Sequence, residues 1–106
     1  MVDATPSAKA FAELGLPNSL LDTLIRLGYE QATPIQSGTI PPLLAGRDVV
    51  GIAQTGTGKT AAFALPIIAD IKLSNRRPQA LVLCPTRELS LQVADAFRSY
   101  AGNVEG

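Results

Sequence analysis

The chain has 106 residues, of which 46% are hydrophobic and 17% charged, proportions that suit one small packed domain and argue against a disordered chain. Nine basic and nine acidic side chains cancel, which argues against nucleic-acid binding through one large positive patch. One cysteine and no histidine exclude an internal disulfide and a histidine-based metal site. Because no apolar run approaches the ~20 residues that cross a bilayer and no signal peptide opens the chain, we expect a cytoplasmic protein without membrane contacts.

The first third of the chain predicts a polar arm followed by two helices. Residues 1–10 are small and polar, and we expect them to form a flexible N-terminal arm. Apolar residues then recur at helical spacing over 20–25, and Gly28 is a typical helix stop. A second helix is expected to begin at residue 34, and the prolines at 41–42 are expected to break or restart it.

The remainder of the chain predicts strands that alternate with helices. The β-branched run at 47–53 and the sequence ALVLC at 80–84 predict two short buried strands. Helices are expected after them, from Lys59 to about Ile71 and from Arg87 onward. This alternation predicts an α/β fold with a parallel sheet.

The sequence GIAQTGTGKT, residues 51–60, lies between a predicted strand and a predicted helix. It follows the phosphate-binding pattern G-x-x-x-x-G-K-[ST], with Ala53 in place of the first glycine. Backbone N–H groups of such a loop and the positive end of the helix dipole converge on a phosphate group. Lys59 can reach the β- and γ-phosphates, and the Thr60 hydroxyl can ligate Mg²⁺. The alternative is a glycine-rich turn with an exposed lysine, which the strand–loop–helix context disfavours. The candidate nucleotide-binding residues of the loop are Gln54, Thr55, Gly56, Thr57, Gly58, Lys59 and Thr60.

Tyr29 and Gln36 are candidate contacts for the base of the nucleotide. The Gln36 amide offers an acceptor and a donor that match the N6 and N7 atoms of adenine, an edge that distinguishes adenine from guanine. Tyr29 offers a flat ring on which a base can stack. Taken singly, Gln36 also fits a surface glutamine of a helix, and Tyr29 a partly buried core residue.

Pro85, Thr86 and Arg87 follow the second predicted strand, at the edge where open parallel sheets bind their ligands. The Thr86 hydroxyl and the Arg87 guanidinium can donate hydrogen bonds to phosphate oxygens. The alternatives are Thr86 as the N-cap of the next helix and Arg87 paired with a nearby acid, and both can hold together with phosphate binding.

Three segments taken together resemble the DEAD-box RNA helicases. AQTGTGKT is similar to their motif I, GYEQATPIQ at residues 28–36 to their Q motif, and PTREL at residues 85–89 to their motif Ia. The resemblance implies that residues 11–106 are the N-terminal portion of the first RecA-like domain. That domain is a P-loop NTPase fold, a parallel sheet flanked by helices, and it would be incomplete in this chain.

The resemblance also implies roles for the candidate residues. Tyr29 and Gln36 would hold adenine, with Phe11 packed against the Q motif. ATP and Mg²⁺ would be the cofactors, with Lys59 and Thr60 acting in catalysis. Residues 85–87 would contact the RNA backbone without regard to sequence.

The helicase motifs that complete the active site in this family would follow Gly106. The Asp-Glu-Ala-Asp and Ser-Ala-Thr motifs and the second RecA-like domain are expected there. We therefore expect that this chain carries the nucleotide-binding portion, does not hydrolyse ATP alone and requires the remainder of the helicase core as a partner. In the family, the strands carrying those motifs lie between the two predicted here, which predicts exposed edges and self-association of the fragment. The alternatives are another P-loop ATPase, such as a DNA translocase or nucleotide kinase, and a non-enzymatic nucleotide-binding or interaction module.

Overall fold

Helices make up the regular structure of a computed structural model that describes residues 10–52 and 58–102. After a 3₁₀ turn at Phe11–Glu13, the chain forms α1 (Asn18–Arg26), α2 (Pro34–Leu44), α3 (Lys59–Asp70) and α4 (Arg87–Tyr100). Helix α3 packs between α2 and α4, and α4 also contacts α1. None of the helices in these two ranges is long and apolar enough to span a bilayer.

The core lies where the four helices meet. Its largest fully buried side chains are Leu20 and Leu24 of α1, Ile40 of α2 and Leu65 of α3. Burying each such side chain contributes about 1.5–3 kcal/mol to the stability of the fold. Buried alanines of α3, among them Ala61, Ala62 and Ala64, leave room for its neighbours to approach closely.

Helix α1 ends in a turn that fixes the backbone of Tyr29. Gly28 has a φ of +86°, the left-handed conformation that glycine adopts without steric cost. Its N–H donates to the Ile25 carbonyl at 3.0 Å, and the Tyr29 N–H donates to the Leu24 carbonyl at 2.8 Å. These two bonds form a Schellman motif, so the prediction that Gly28 stops this helix is confirmed.

Helix α2 runs without interruption through Pro41 and Pro42 to Leu44, so the prediction that these prolines break or restart it is wrong. Each proline removes one N–H from the helical ladder and its ring crowds the carbonyl four residues before it. The packing of α2 against α3 offsets this local cost. The bonds that close the last turn come from later residues, because the N–H groups of Ala45 and Arg47 donate to the carbonyls of Pro41 and Pro42 at 3.1 and 3.0 Å.

The two segments predicted as strands do not form a sheet within the described residues. Residues 47–52 and 80–84 have no assigned regular structure, and the bridge found in the described ranges joins Ala10 and Gln31. Val50 and Ile52 are each 91% exposed. A strand is stabilised by a neighbour that binds its N–H and C=O groups, and no such neighbour lies beside these segments in the described part of the chain. The predicted parallel sheet is therefore not formed by these residues.

Candidate nucleotide and RNA site

Gln36 lies in the first turn of α2 and is buried, with 2% of its surface exposed. The Thr33 side chain caps the helix by accepting from the Gln36 N–H at 3.4 Å, and the Gln36 Oε1 accepts from the Thr33 N–H at 2.8 Å. This reciprocal pair is a capping box. Pro34 follows the cap at a position where no N–H donor is needed. The alternative that Gln36 is a surface glutamine is therefore wrong.

The Gln36 side chain also joins α2 to the start of α3. Its Nε2 donates to the Gly58 carbonyl at 3.1 Å, across 22 residues of sequence. Gly58 is the N-cap of α3 and has a φ of +82°, and a Cβ at this position would collide with the Gln36 amide nitrogen. A glutamine amide carries two N–H donors and two acceptor lone pairs. One donor and one lone pair thus remain after these bonds, which is the pair of groups that adenine recognition requires.

Of the predicted phosphate loop, the structure describes Gly58, Lys59 and Thr60, while Gln54, Thr55, Gly56 and Thr57 lie outside the described residues. Lys59 is exposed at the first position of α3, and Thr60 follows it half-buried. The positive end of the α3 dipole and the Lys59 ammonium therefore lie at the same helix terminus, a combination that favours an anion. Through the hydrogen bond between Gln36 and Gly58, this helix terminus lies against residues 28–36, which we call the Q-like segment.

Tyr29 lies among aromatic rings and is 42% exposed. Its ring centroid is 6.4 Å from that of Phe11 and 6.3 Å from that of Tyr100, at interplanar angles of 80° and 67°. Phe11 is buried, and its N–H donates to the Glu30 carbonyl at 3.2 Å. The packing of Phe11 against the Q-like segment is thus confirmed.

Tyr100, the last residue of α4, was not among the site candidates. It is buried, and burial raises the pKa of its hydroxyl above the ordinary value, with a further increase from the charge of nearby Tyr29. The sequence does carry a signal for its burial, because Tyr100 continues the helical spacing of Val93 and Phe97.

Thr86 and Arg87 lie at the start of α4, with Pro85 before them. The Thr86 Oγ1 accepts from the Leu89 N–H at 3.1 Å, so its alternative role as N-cap is confirmed. Its hydroxyl proton can still donate to a phosphate oxygen. Arg87 is exposed and makes no ion pair within residues 10–52 and 58–102, which leaves its guanidinium available to an anion. Helix α4 has 14 residues, so Arg87 and Tyr100 are separated by about 20 Å along its axis.

The residues 33–106 match the family model described as DEAD/DEAH box helicase. Among curated proteins, the chain is similar to "ATP-dependent RNA helicase DeaD" of Mycobacterium tuberculosis, with 57% identity over 94 residues. The match covers 89% of this chain and 17% of that relative, so the chain spans about a sixth of the relative's length.

Solved structures with the same fold agree with this similarity. The chain superposes on the RNA helicase Prp28 from Chaetomium thermophilum bound to ADP with a TM-score of 0.81 and 43% identity, covering 97% of this chain and 26% of that one. It superposes on Dbp5 from S. cerevisiae, bound to RNA and ADP BeF3, with a TM-score of 0.86 and 34% identity, covering 92% of this chain and 25% of that one.

Proposed function

Because the chain belongs to the DEAD/DEAH box helicase family, we propose that it is the nucleotide-binding portion of an ATP-dependent RNA helicase. The observation that carries this proposal is the hydrogen bond from the Gln36 amide to the Gly58 carbonyl at 3.1 Å. It brings the candidate adenine contact against the helix terminus that bears Lys59. Base and phosphate recognition are thereby held in one unit, as an adenine nucleotide requires.

Each candidate residue has a role in this proposal. Tyr29 stacks on adenine and Gln36 reads its edge, while Lys59 binds the β- and γ-phosphates and Thr60 ligates Mg²⁺. Arg87, with its neighbours Pro85 and Thr86, binds the RNA backbone. Solved relatives bound to ADP, and to RNA with ADP BeF3, support both ligands.

The remainder of the helicase core is the proposed partner of this chain, and it would supply the acid that holds Mg²⁺ and the group that orients the attacking water. Two open cavities, of about 340 and 420 Å³, separate the helices from the unpaired segments; one is lined by Val49 and Gly51 and the other by Ala80 and Val82. Further strands of a RecA-like sheet would fill such spaces. Without them, exposed side chains such as Val50 favour self-association of the fragment.

Changing Gln36 to alanine tests the adenine assignment. In a complete helicase core that carries this chain, Gln36→Ala should weaken ATP binding and reduce the preference for ATP over GTP by about 1–3 kcal/mol, the value of a bidentate base contact. Titration of both nucleotides measures this preference.

The matched control for Gln36→Ala is Thr33→Ala. It removes the capping hydroxyl of the same capping box, at a cost of about 0.5–2 kcal/mol of helix stability, but keeps the Gln36 amide. Thr33→Ala should keep the preference for ATP over GTP. An unchanged preference in Gln36→Ala would contradict the proposal and favour another class of P-loop ATPase.

Changing Arg87 to alanine tests the RNA contact. Arg87→Ala should weaken RNA binding equally for unrelated sequences and reduce the salt dependence by about one phosphate contact. The control is Arg98→Ala, because Arg98 lies on the same helix but is paired with Asp95 at 2.8 Å. Binding isotherms over a series of salt concentrations check both variants. A loss that depends on RNA sequence, or an equal loss in Arg98→Ala, would show that Arg87 is not a backbone contact.

A further inference from the structure

The segment that joins α3 to α4 concentrates positive charge in a chain whose net charge is zero. Residues 71–87 contain four basic side chains and no acidic one, while the other residues contain five basic and nine acidic side chains. Two of the four are the adjacent Arg76 and Arg77, which we call the arginine pair, and both are exposed. Neither forms an ion pair within the described part of the chain. Their guanidinium groups are therefore available to an anion.

One side chain fixes the shape of the loop that carries the arginine pair. The Gln79 Nε2 donates to the carbonyls of Lys72 and Asn75 at 2.8 and 3.1 Å, and its Oε1 accepts from the Lys72 N–H at 2.9 Å. The Asn75 N–H donates to the Lys72 carbonyl at 3.0 Å, which closes the turn. These four hydrogen bonds order a loop whose residues, 71–80, are all exposed.

The backbone of Arg77 is restricted from both sides. Its N–H donates to the Asn75 Oδ1 at 3.0 Å, and Pro78 after it disfavours any but an extended backbone. A guanidinium presents its N–H donors in a planar fork that matches a phosphate group. A loop that is ordered in advance also loses less conformational entropy on binding. The arginine pair is therefore suited to bind phosphate groups.

An extended segment separates the arginine pair from Arg87, the proposed RNA contact. Leu81 and Leu83 are 82% and 83% exposed, whereas Val82 and Cys84 line a cavity against α3 and α4. This alternation indicates an extended backbone, which advances about 3.3 Å per residue, so the pair lies up to about 33 Å from Arg87. A strand of a nucleic-acid duplex advances about 3.4 Å per nucleotide, so this distance corresponds to at most about ten nucleotides.

We propose that Arg76 and Arg77 bind the phosphate backbone of the RNA at a second place, up to about ten nucleotides from the contact made by Arg87. This inference rests on the proposed function, because it takes the ligand to be RNA. Residues 78–86 between the two contacts contain no acidic side chain that would repel the RNA. The second contact lengthens the tract of RNA that the chain holds and does not read its sequence.

The test compares a long and a short RNA in a complete helicase core that carries this chain. The combined variant Arg76→Ala and Arg77→Ala should bind a hairpin RNA of roughly 20 base pairs about tenfold to a hundredfold more weakly at about 0.1 M salt. The salt dependence should fall by about two phosphate contacts. An RNA of about five nucleotides covers only half of the separation between the contacts, so its binding should stay unchanged.

The matched control combines Arg26→Ala with Arg98→Ala. It removes the same charge from the last turns of α1 and α4, outside the loop. Both RNAs should bind this control about as tightly as they bind the parent protein.

Gln79→Ala tests whether the fixed shape of the loop matters. It keeps both arginines but removes the hydrogen bonds from the Gln79 side chain to Lys72 and Asn75. Binding of the hairpin should weaken roughly twofold to tenfold, the cost of ordering side chains and loop on binding. The salt dependence should stay that of the parent protein, because the number of phosphate contacts is the same.

The outcomes separate this inference from the proposed function. If the arginine-pair variant binds the hairpin normally while Arg87→Ala weakens both RNAs, the second contact is overturned and the proposed function stands. In that case, polyglutamate that binds the parent protein but not the variant would assign the pair to an acidic protein.

The second contact is likewise overturned if the arginine-pair variant loses both RNAs equally, if the Arg26 and Arg98 control loses as much, or if Gln79→Ala has no effect. If the parent protein binds neither RNA, the proposed function fails and the inference fails with it.

Discussion

Lys59→Ala should lower the ATP turnover of a complete helicase core that carries this chain by at least about a hundredfold, the effect of removing one group that stabilises charge in a transition state. Lys59 is the first residue of α3 and is exposed at the positive end of the helix dipole. The variant loses the cation that faces the transferred phosphate. Phosphate release at saturating RNA and ATP measures the loss.

Lys72→Ala is the matched control for this change. It removes the same charge from an exposed position beyond the end of α3, where the Lys72 backbone is bonded to the Gln79 side chain. Turnover should be close to that of the parent protein. Near-normal turnover in Lys59→Ala, or an equal loss in Lys72→Ala, would contradict the role given to Lys59.

Gly58→Ala should destabilise the domain by about 2–4 kcal/mol, from the left-handed backbone that alanine resists and from the loss of a buried hydrogen bond. The added methyl group would collide with the Gln36 amide nitrogen at the N-cap of α3, where φ is +82°. Displacing that amide should also weaken ATP binding. Urea unfolding followed by circular dichroism gives the first quantity, and nucleotide titration gives the second.

Gly28→Ala separates backbone strain from this collision. Gly28 has a φ of +86°, and a Cβ there would meet nothing within 4 Å. Gly28→Ala should therefore lower the free energy of unfolding by only the cost of the left-handed backbone conformation, about 1–2 kcal/mol. If the two variants lose equal stability and bind ATP equally well, the Gln36–Gly58 contact has no role in the site.

Local signals predicted the helices and their ends, because the interactions that fix them lie within a few residues. Gly28 ends α1 as expected, and apolar spacing locates α1 and α4. The prolines of α2 misled the prediction because the packing of α2 against α3 outweighs the local preference against proline, and the segment alone does not reveal that packing. The expected strands could not be assessed from the segments alone, since pairing depends on residues far away in sequence or in another part of the core.

The sequence predicted which residues belong to the candidate site, but it did not predict the contacts between them. The sequence favours Gln36 as a ligand contact, yet it contains no local sign that the amide would be buried against Gly58, 22 residues later. Tyr100 was not predicted for the same reason, because its partner Tyr29 lies far away in sequence, just after the turn that ends α1. Contacts between distant segments are set by how the helices pack, and the residue pattern of one helix does not reveal its neighbour.

The aromatic composition of the chain makes the Tyr29–Tyr100 pair a natural optical reporter. The chain has two tyrosines and no tryptophan, and the two tyrosine rings lie 6.3 Å apart. Its ultraviolet emission on tyrosine excitation therefore comes entirely from the aromatic cluster beside the proposed base site. The light emitted by the chain originates where adenine would stack, so this emission can follow base binding without an attached dye.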